Sequence, residues 1–493
     1  MTQEFDVIVV GAGIIGPVLA HALANDGRKV LLIEKNWDEP DRIVGELLQP
    51  GGVQALERLG LADCIEGIDG IPVYGYGVFF RGEAVNIPYP KSSDGQTILG
   101  KSFHHGRLVM KLREAAKGCS NVVPLEATVN ELVKDEAGQV VGVICTKKSE
   151  NEETKLKFSA PLTFVADGIF SKFRKECLPV QPKLRSHFVG FIMKGTTLPY
   201  PKHGHVILAR KSPILMYQIG SNEVRVLVDV QGKLPSISNG DMKNYMLEEV
   251  LPEIPKQIQH GFKEGVENDR IRSMTNSFLP PTRNTHKGVI LIGDAMNMRH
   301  PLTGGGMTVA FWDVVHIAEL LSKKNVPDFS DTGLVIKQMS KHHWNRKSRA
   351  SMINILAMAL YALFSAPENS ENLRILQLSC FKYFQLGGIA VSGPVGLLSG
   401  LIPNPLVLMF HFYAVALYGI LFHVLLAPLW PSETSPNDLK DTTGKPSSKD
   451  SMIFTPATVG LTVAYLPLNI IKALSVLYTA CVVFLPLVWS EIC

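Results

Sequence analysis

Short apolar runs closed by glycine set the pattern at the start of the chain. Phe5–Val10 is rich in β-branched residues and ends at Gly11, the signature of a strand buried in a parallel sheet. Pro17–Asn25 has helical periodicity and stops at Gly27, and Lys29–Ile33 is a second apolar strand that ends at Glu34. Strand, glycine turn, helix and strand make a βαβ unit. Further on, Val78–Phe80 and Val85–Ile87 flank an Arg81-Gly82 turn, Leu108–Ala116 reads as a helix, and Val129–Val133 with Val140–Thr146 form a hairpin about Ala137-Gly138. Leu162–Val165 is another buried strand, ended by Asp167-Gly168. Alternation dominates 185–270, in Val206–Leu208, Ile214–Ile219 and Val224–Val230. Val289–Ile292 is again a short buried strand, closed by Gly293-Asp294, and Gly305–Ser322 reads as a long helix.

After residue 350 the pattern changes to apolar helices. Ser351–Phe364 and Leu373–Phe384 are apolar and helical, and Pro405–Trp430 contains no Asp, Glu, Lys or Arg over 26 residues. A helix of that length spans ~39 Å, enough to cross a bilayer. Pro431–Asp450 is polar and turn-rich, a loop, and Leu468–Leu485 is a second apolar stretch, interrupted by Lys472 and bounded by Pro467 and Pro486. The expected architecture is α/β. A Rossmann-like dinucleotide-binding domain is assembled from 1–72, 101–184 and 271–350. A β-rich substrate domain is inserted as 73–100 and 185–270, and a C-terminal apolar helical membrane domain covers 351–493.

Composition sharpens this picture in three ways. Of the 493 residues 46% are hydrophobic and only 19% charged, below the quarter usual in soluble proteins. The net charge of +4 argues against nucleic acid as a partner but suits an anionic membrane surface. The seven cysteines are scattered without a C-x-x-C pair, which argues against a disulfide framework and against a zinc site. Met1–Asp6 lacks the charged start of a signal peptide, so the catalytic part is expected to face the cytosol.

The chemistry starts at Gly11-Ala12-Gly13-Ile14-Ile15-Gly16. Gly11 permits the tight turn, Gly13 admits a pyrophosphate close to the backbone, and Gly16 lets helix and strand pack, while the helix N-terminus offers free N–H groups to phosphate. Glu34, at the end of the second strand, is placed to accept the adenosine ribose hydroxyls. These residues leave FAD and NAD both open. Two further segments favour FAD. Asp294 follows a buried strand and can accept a ribityl hydroxyl, and the run Thr303-Gly304-Gly305-Gly306-Met307 lets backbone N–H groups reach the flavin edge that gains charge on reduction. Ala166-Asp167-Gly168, with Ser171 and Arg174 following, supplies the third.

In that order, the three segments resemble the flavoprotein monooxygenases of the p-hydroxybenzoate hydroxylase fold. The stretches 41–52 (Asp41-Arg42-Ile43-Val44-Gly45-Glu46-Leu47-Leu48-Gln49-Pro50-Gly51-Gly52), His104-His105-Gly106-Arg107 and Asn297–Met307 are similar to squalene epoxidases. So is Phe381-Lys382-Tyr383-Phe384 with Gly387-Gly388. The resemblance implies an FAD-dependent enzyme that uses O2 to epoxidise squalene to (S)-2,3-oxidosqualene in sterol biosynthesis. It implies cofactor contacts at Ile14, Ile15, Glu34, Lys35, Arg42, Leu47, Arg107, Val129, Asp294 and Met307, beside Gly11, Gly13, Gly16, Asp167, Gly305 and Gly306. It makes Tyr76 the active-site tyrosine and Gln49 the glutamine that holds it. Arg42 and Arg107 also make sense as cations for the pyrophosphate, and His104 and His105 read as structural or phosphate-side groups.

A hydrocarbon substrate makes membrane insertion sensible, and the resemblance favours helices seated in one leaflet. It places the enzyme on the cytosolic face of the endoplasmic-reticulum membrane, with membrane lipid around it and NADPH–cytochrome P450 reductase as electron donor. In related hydroxylases the Asp167-Gly168 motif assists direct reduction by NADPH instead. Two rivals remain at this point: another flavin enzyme acting on a prenyl lipid, of ubiquinone-hydroxylase or geranylgeranyl-reductase type, and a non-enzymatic prenyl-protein escort.

Overall fold

Val7–Val10 is buried on both faces, which only the interior of a covered sheet allows. The structure, a computed structural model, describes residues 4–92, 94–149, 152–426 and 466–492. Around Val7–Val10 it forms a five-stranded sheet in the order Val289–Leu291, Leu162–Val165, Val7–Val10, Val30–Glu34 and Val122–Glu126, all parallel. Helices Ile15–Asn25 and Gly306–Leu320 pack on one face through Val18, Leu19, Phe311 and Val314. The other face is covered by an antiparallel sheet of Thr128–Lys134, Val140–Ser149 and Glu152–Ser159. Glu152–Ser159 escaped the sequence pattern because its apolar residues are outnumbered by Glu and Lys.

The second layer is a seven-stranded sheet ordered Arg272–Phe278, Lys183–Lys194, Glu223–Val230, Ile214–Gly220, Gly204–Ile207, Gly75–Phe80 and Glu83–Pro88. Arg272–Phe278 corrects the sequence reading, which put it in the dinucleotide domain. It pairs antiparallel with Lys183–Lys194. Its sequence, RSMTNSF, carries little apolar alternation, and the pairing is made by backbone rather than side-chain pattern. Nor is 185–270 entirely β. Asp241–Tyr245, Met246–Val250 and Gln259–Asn268 are helical and cover one sheet face through Met242, Met246 and Phe262.

The other face of that sheet meets the C-terminal helices. Thr332–Phe364 runs 33 residues, starting far ahead of the expected Ser351 because its first half is polar outside and charged within. Glu371–Gln385, Ile389–Leu398 and Pro405–Gly419 follow, the last continued by a wider turn at Ile420–Leu425. Leu466–Ile492 is longer than the sequence indicated and runs through Pro486, which the pattern had taken as a boundary. That proline deletes one backbone bond, yet the helix continues because Phe484 and Glu491 on either side are buried anchors. The expected loop at 431–450 and the end of the first apolar stretch, 427–430, lie outside the described residues.

Pro405–Leu425 and Leu466–Ile492 are long and apolar enough to cross a membrane, with mean hydropathies of 1.9 and 2.1. Leu406, Phe410, Leu417, Leu468, Ile471, Leu474, Tyr478 and Trp489 all project outward, each more than half exposed. Such a continuous apolar surface is unusual on a free-standing fold.

Buried histidines, His105 and His205 among them, tie this fold to pH. Burial pushes His105 and His205 down to about 4, so both stay neutral in the folded chain while the unfolded chain protonates them at 6.5. The stability they contribute is complete above 6.5 and is lost as the pH falls toward 4. The thermal midpoint is expected to drop over that interval, and H205N should make the drop shallower. A pH-independent midpoint between 6.5 and 4 would contradict this.

Candidate active site

Three turns converge at the carboxyl edge of the parallel sheet, where open α/β sheets bind ligands. The first is Gly11–Gly16. Gly11 has φ +99°, and a Cβ there would lie 2.6 Å from the Ala166 carbonyl oxygen, so the first turn touches the second, Ala166-Asp167-Gly168. Gly16 lies against Gly11, whose carbonyl a Cβ would strike. Gly293, in the third turn, lies against Ile15, a Cβ there approaching Ile15 Cγ2 to 3.2 Å. Arg174 staples the last two turns. Its Nε donates to the Ala295 carbonyl at 2.9 Å and its Nη2 to those of Gly168, Ile169 and Asp294 at 3.0–3.1 Å.

Glu34 anchors the far corner. Its carboxylate accepts the Ala12 N–H at 2.6 Å and the Lys35 N–H at 3.0 Å. Arg113 completes this corner, and the sequence reading missed it. Buried at 4% exposure, it donates to the Ala12 carbonyl at 2.8 Å and the Asp38 carbonyl at 2.9 Å, and its charge lies 4.0 Å from Glu34. The signal was present, since Arg113 shares a helix face with Val109 and Ala116, where an arginine has no place without a buried task. Val129 is buried two residues after Ala127, whose N–H donates to the Glu34 carbonyl. Lys35 is exposed beside it.

Asp294 is exposed at the end of its turn, with a dense surround of protein behind it. Burial raises its carboxyl pKa, and the charges of Arg299, Arg42 and Arg174 pull it back. Arg42, itself exposed, lies near enough for its charge to act on Asp294. Arg107 is not brought there by its contacts: it pairs with Asp69 at 3.5 Å and donates to the Ile68 carbonyl at 3.3 Å. His105 Nδ1 bonds the Gly45 carbonyl at 3.0 Å, and His104 bonds Glu223 at 2.7 Å. Both histidines are thus structural.

The Leu302–Met307 turn faces Gln49. The Gln49 amide is completely buried. Its Nε2 donates to the Thr303 carbonyl at 2.7 Å and to the Tyr76 hydroxyl, and its Oε1 accepts the Tyr89 hydroxyl at 2.6 Å. Leu47 lies against the same turn, 3.3 Å from where a Gly304 Cβ would stand. Tyr76 is fixed from behind, because Gly204 on the neighbouring strand leaves room for its ring. Burial raises the Tyr76 pKa, so its phenol stays protonated. Tyr89, the second tyrosine of this cluster, was also missed: it sits between Pro88 and Pro90, where the pattern reads only as a strand end.

The residues fit FAD. A Cβ at Gly13 would meet nothing within 4 Å, so backbone there faces open space. Asp167 Oδ1, Arg299 Nε and Thr303 Oγ1 are buried without a hydrogen-bond partner, a cost that a bound polar group removes. FAD would be held at its adenosine end by Glu34, at its phosphates by Gly11–Gly16, and at its ribityl chain and ring by Asp294 and the Gly305–Met307 turn. Among the described residues no cluster of side chains is arranged to hold a metal ion.

Fold and cradle together define the class, an FAD-dependent monooxygenase. Residues 9–39 match an NAD(P)-binding Rossmann-like domain and residues 159–434 match the family described as squalene epoxidase. A squalene epoxidase of Aspergillus fumigatus is 52% identical over 423 residues, covering 84% of this chain and 86% of the relative. A squalene monooxygenase of Mus musculus is 42% identical, covering 99% of this chain and 78% of the relative. Among solved structures, a p-nitrophenol 4-monooxygenase from Pseudomonas putida superposes with a TM-score of 0.65 at 17% identity, covering 83% of this chain and 99% of that one. A flavin-dependent brominase does so with 0.64 at 15% identity, covering 84% and 99%. The chain belongs to the squalene epoxidase family.

The open space at Gly13 generates a clean test. Gly13→Ala should leave the apoprotein's thermal midpoint unchanged and weaken FAD binding at least ~10-fold, about 1.4 kcal/mol. Equal FAD affinity, measured by flavin fluorescence titration, would remove Gly13 from the cofactor site.

Proposed function

We propose that the protein inserts one atom of O2 across a terminal double bond of squalene, giving (S)-2,3-oxidosqualene. The observation that carries this reading is continuity between the polar cradle and a single apolar cluster. Tyr76, one hydrogen bond from Gln49 and two from the flavin turn, is packed in the same cluster as Phe80, Phe188, Leu208, Phe381 and Phe384. That cluster extends into the helices whose outer faces are apolar and exposed. A long hydrocarbon offers no polar handle, so such walls must orient it by shape.

Bound FAD, once reduced, supplies two electrons that with O2 and two protons yield one electrophilic oxygen for the alkene and one water. The chain's own residues do the rest. Gln49, its Oε1 occupied by Tyr89 and its Nε2 by Thr303 and Tyr76, holds the Tyr76 oxygen as an acceptor. This leaves the Tyr76 proton available to the site. A neutral phenol there orients a reacting oxygen without contributing charge. The aromatic walls exclude water, which would otherwise divert the oxygen into peroxide. Asp294 and Arg42 hold the cofactor's polar chain, and Glu34 and Lys35 its adenosine end.

Membrane lipid surrounds the outer faces of Pro405–Leu425 and Leu466–Ile492 in this reading, and the substrate enters from one leaflet between them. The catalytic layers face the cytosol on the endoplasmic-reticulum membrane. One dinucleotide fingerprint, Gly11–Gly16, serves FAD, so electrons come from NADPH through NADPH–cytochrome P450 reductase as partner.

Purified protein supplied with squalene, FAD, NADPH and the reductase should form oxidosqualene, read by mass spectrometry. Omitting the reductase should slow flavin reduction strongly, and rapid reduction by NADPH alone would exclude the partner. Tyr76→Phe is expected to lower kcat by roughly 10- to 100-fold with FAD retained, while divert of electrons to hydrogen peroxide rises. Unchanged kcat would take Tyr76 out of the chemistry.

A further inference from the structure

The last apolar helix ends in a carboxylate that is not at the surface. Glu491 is 3% exposed, and its two oxygens accept from two side chains one turn apart on Thr332–Phe364. Ser351 Oγ donates to Oε2 at 2.7 Å and Asn354 Nδ2 to Oε1 at 2.9 Å. Asn354 Nδ2 also donates to Asn297 Oδ1 at 3.1 Å. The same Asn297 oxygen accepts Arg299 Nη2 at 2.9 Å and Arg346 Nη2 at 3.1 Å. Arg299 Nη1 then reaches the Gly306 carbonyl at 3.4 Å, in the turn that faces the cofactor.

Charge explains why the chain needs that carboxylate. Arg346 is taken by Asp313 in a two-bond pair, Nε to Oδ1 at 2.8 Å and Nη2 to Oδ2 at 2.9 Å. Arg299 has no such partner. Against the burial that disfavours its charge act Asp294, on the cofactor side, then Asp313 and Glu491, on the helix side. Asp313 is already held by Arg346, so without Glu491 the balance on Arg299 shifts toward Asp294 and away from Asn297 and Gly306.

We propose that Glu491 is a positioning residue for the cofactor. Seated on Ser351 and Asn354, it holds Arg299 and thereby the Gly305–Met307 turn in the shape that receives the flavin. The inference rests on the reading that FAD occupies this turn. It ties the end of the Leu466–Ile492 helix to the cradle, and Lys347 Nζ holds that end in place by bonding the Glu491 and Ile492 carbonyls.

The test uses the full chain in detergent, with FAD affinity read by flavin fluorescence and apoprotein stability by thermal melt. E491Q keeps size and removes charge, and should weaken FAD binding about 10-fold, with S351A losing less. E491D should recover part of the loss. F484L, a packing change two turns earlier on the same helix, should lower the melting midpoint while leaving FAD affinity intact. If E491Q does not fold, S351A decides by the same readout. FAD affinity at the wild-type level in these two variants overturns the proposal, as does an equal loss in F484L. A wild-type chain that takes up no FAD overturns the cofactor reading instead.

Discussion

A buried primary amide must satisfy two donors and an acceptor without water, and Gln49 does so at the boundary between a polar cradle and an apolar enclosure. Thr303 belongs to the cradle, while Tyr76 lies on a strand of the large sheet and Tyr89 directly follows its last strand, both in the apolar cluster. In the proposed reading, one side chain therefore fixes the distance between the cofactor cradle and the apolar cluster that would orient a hydrocarbon. Everything else follows from keeping those two environments adjacent and separate. The parallel sheet delivers the glycine turns to one edge, and the seven-stranded sheet delivers the tyrosines to the same level.

A second buried polar set does for the layers what Gln49 does for the site. Asp229 of the large sheet accepts Tyr361 from the long helix at 3.1 Å and bonds His300 of the flavin turn at 3.2 Å, with Ser186 and Asn276 filling the remaining positions. The His300 and Tyr361 rings stack with centroids 3.7 Å apart. Glu46 and Arg225 form a two-bond pair at 2.8 and 2.9 Å, joining the segment before Gln49 to the sheet. Although burial alone would lower it, Glu46 raises the Arg225 pKa, so the guanidinium remains a cation. Paired charges of this kind contribute little net stability, but they penalise every wrong register of the surfaces they join.

The legible part of the molecule was the part in which local pattern and tertiary role coincide. Leu162–Val165 is buried at every position and apolar at all but Thr163 because both its faces are covered, and Gly11 is glycine because its φ demands it. What stayed hidden is polar chemistry inside apolar surroundings. His342 and Arg346 interrupt the helical stripe of Thr332–Phe364 because their partner, Asp313, lies on another helix. Glu491 ends an apolar helix because its partners are on Thr332–Phe364. Tyr76 and Gln49 were named through a family likeness, and their geometry came from pairings between strands distant in sequence, which spacing alone does not encode.

The Arg174 staple has a consequence for how this fold diverges. All four of its acceptors are backbone carbonyls, and every amino acid carries one. Away from the left-handed Gly168 and Gly293, the two turns it joins can exchange side chains and still be gripped by the same guanidinium. Sequence drift at those positions leaves the grip intact. A cofactor edge secured in this way outlasts the residues that surround it, in keeping with a shared architecture at 15–20% identity between this chain and structurally similar flavoproteins.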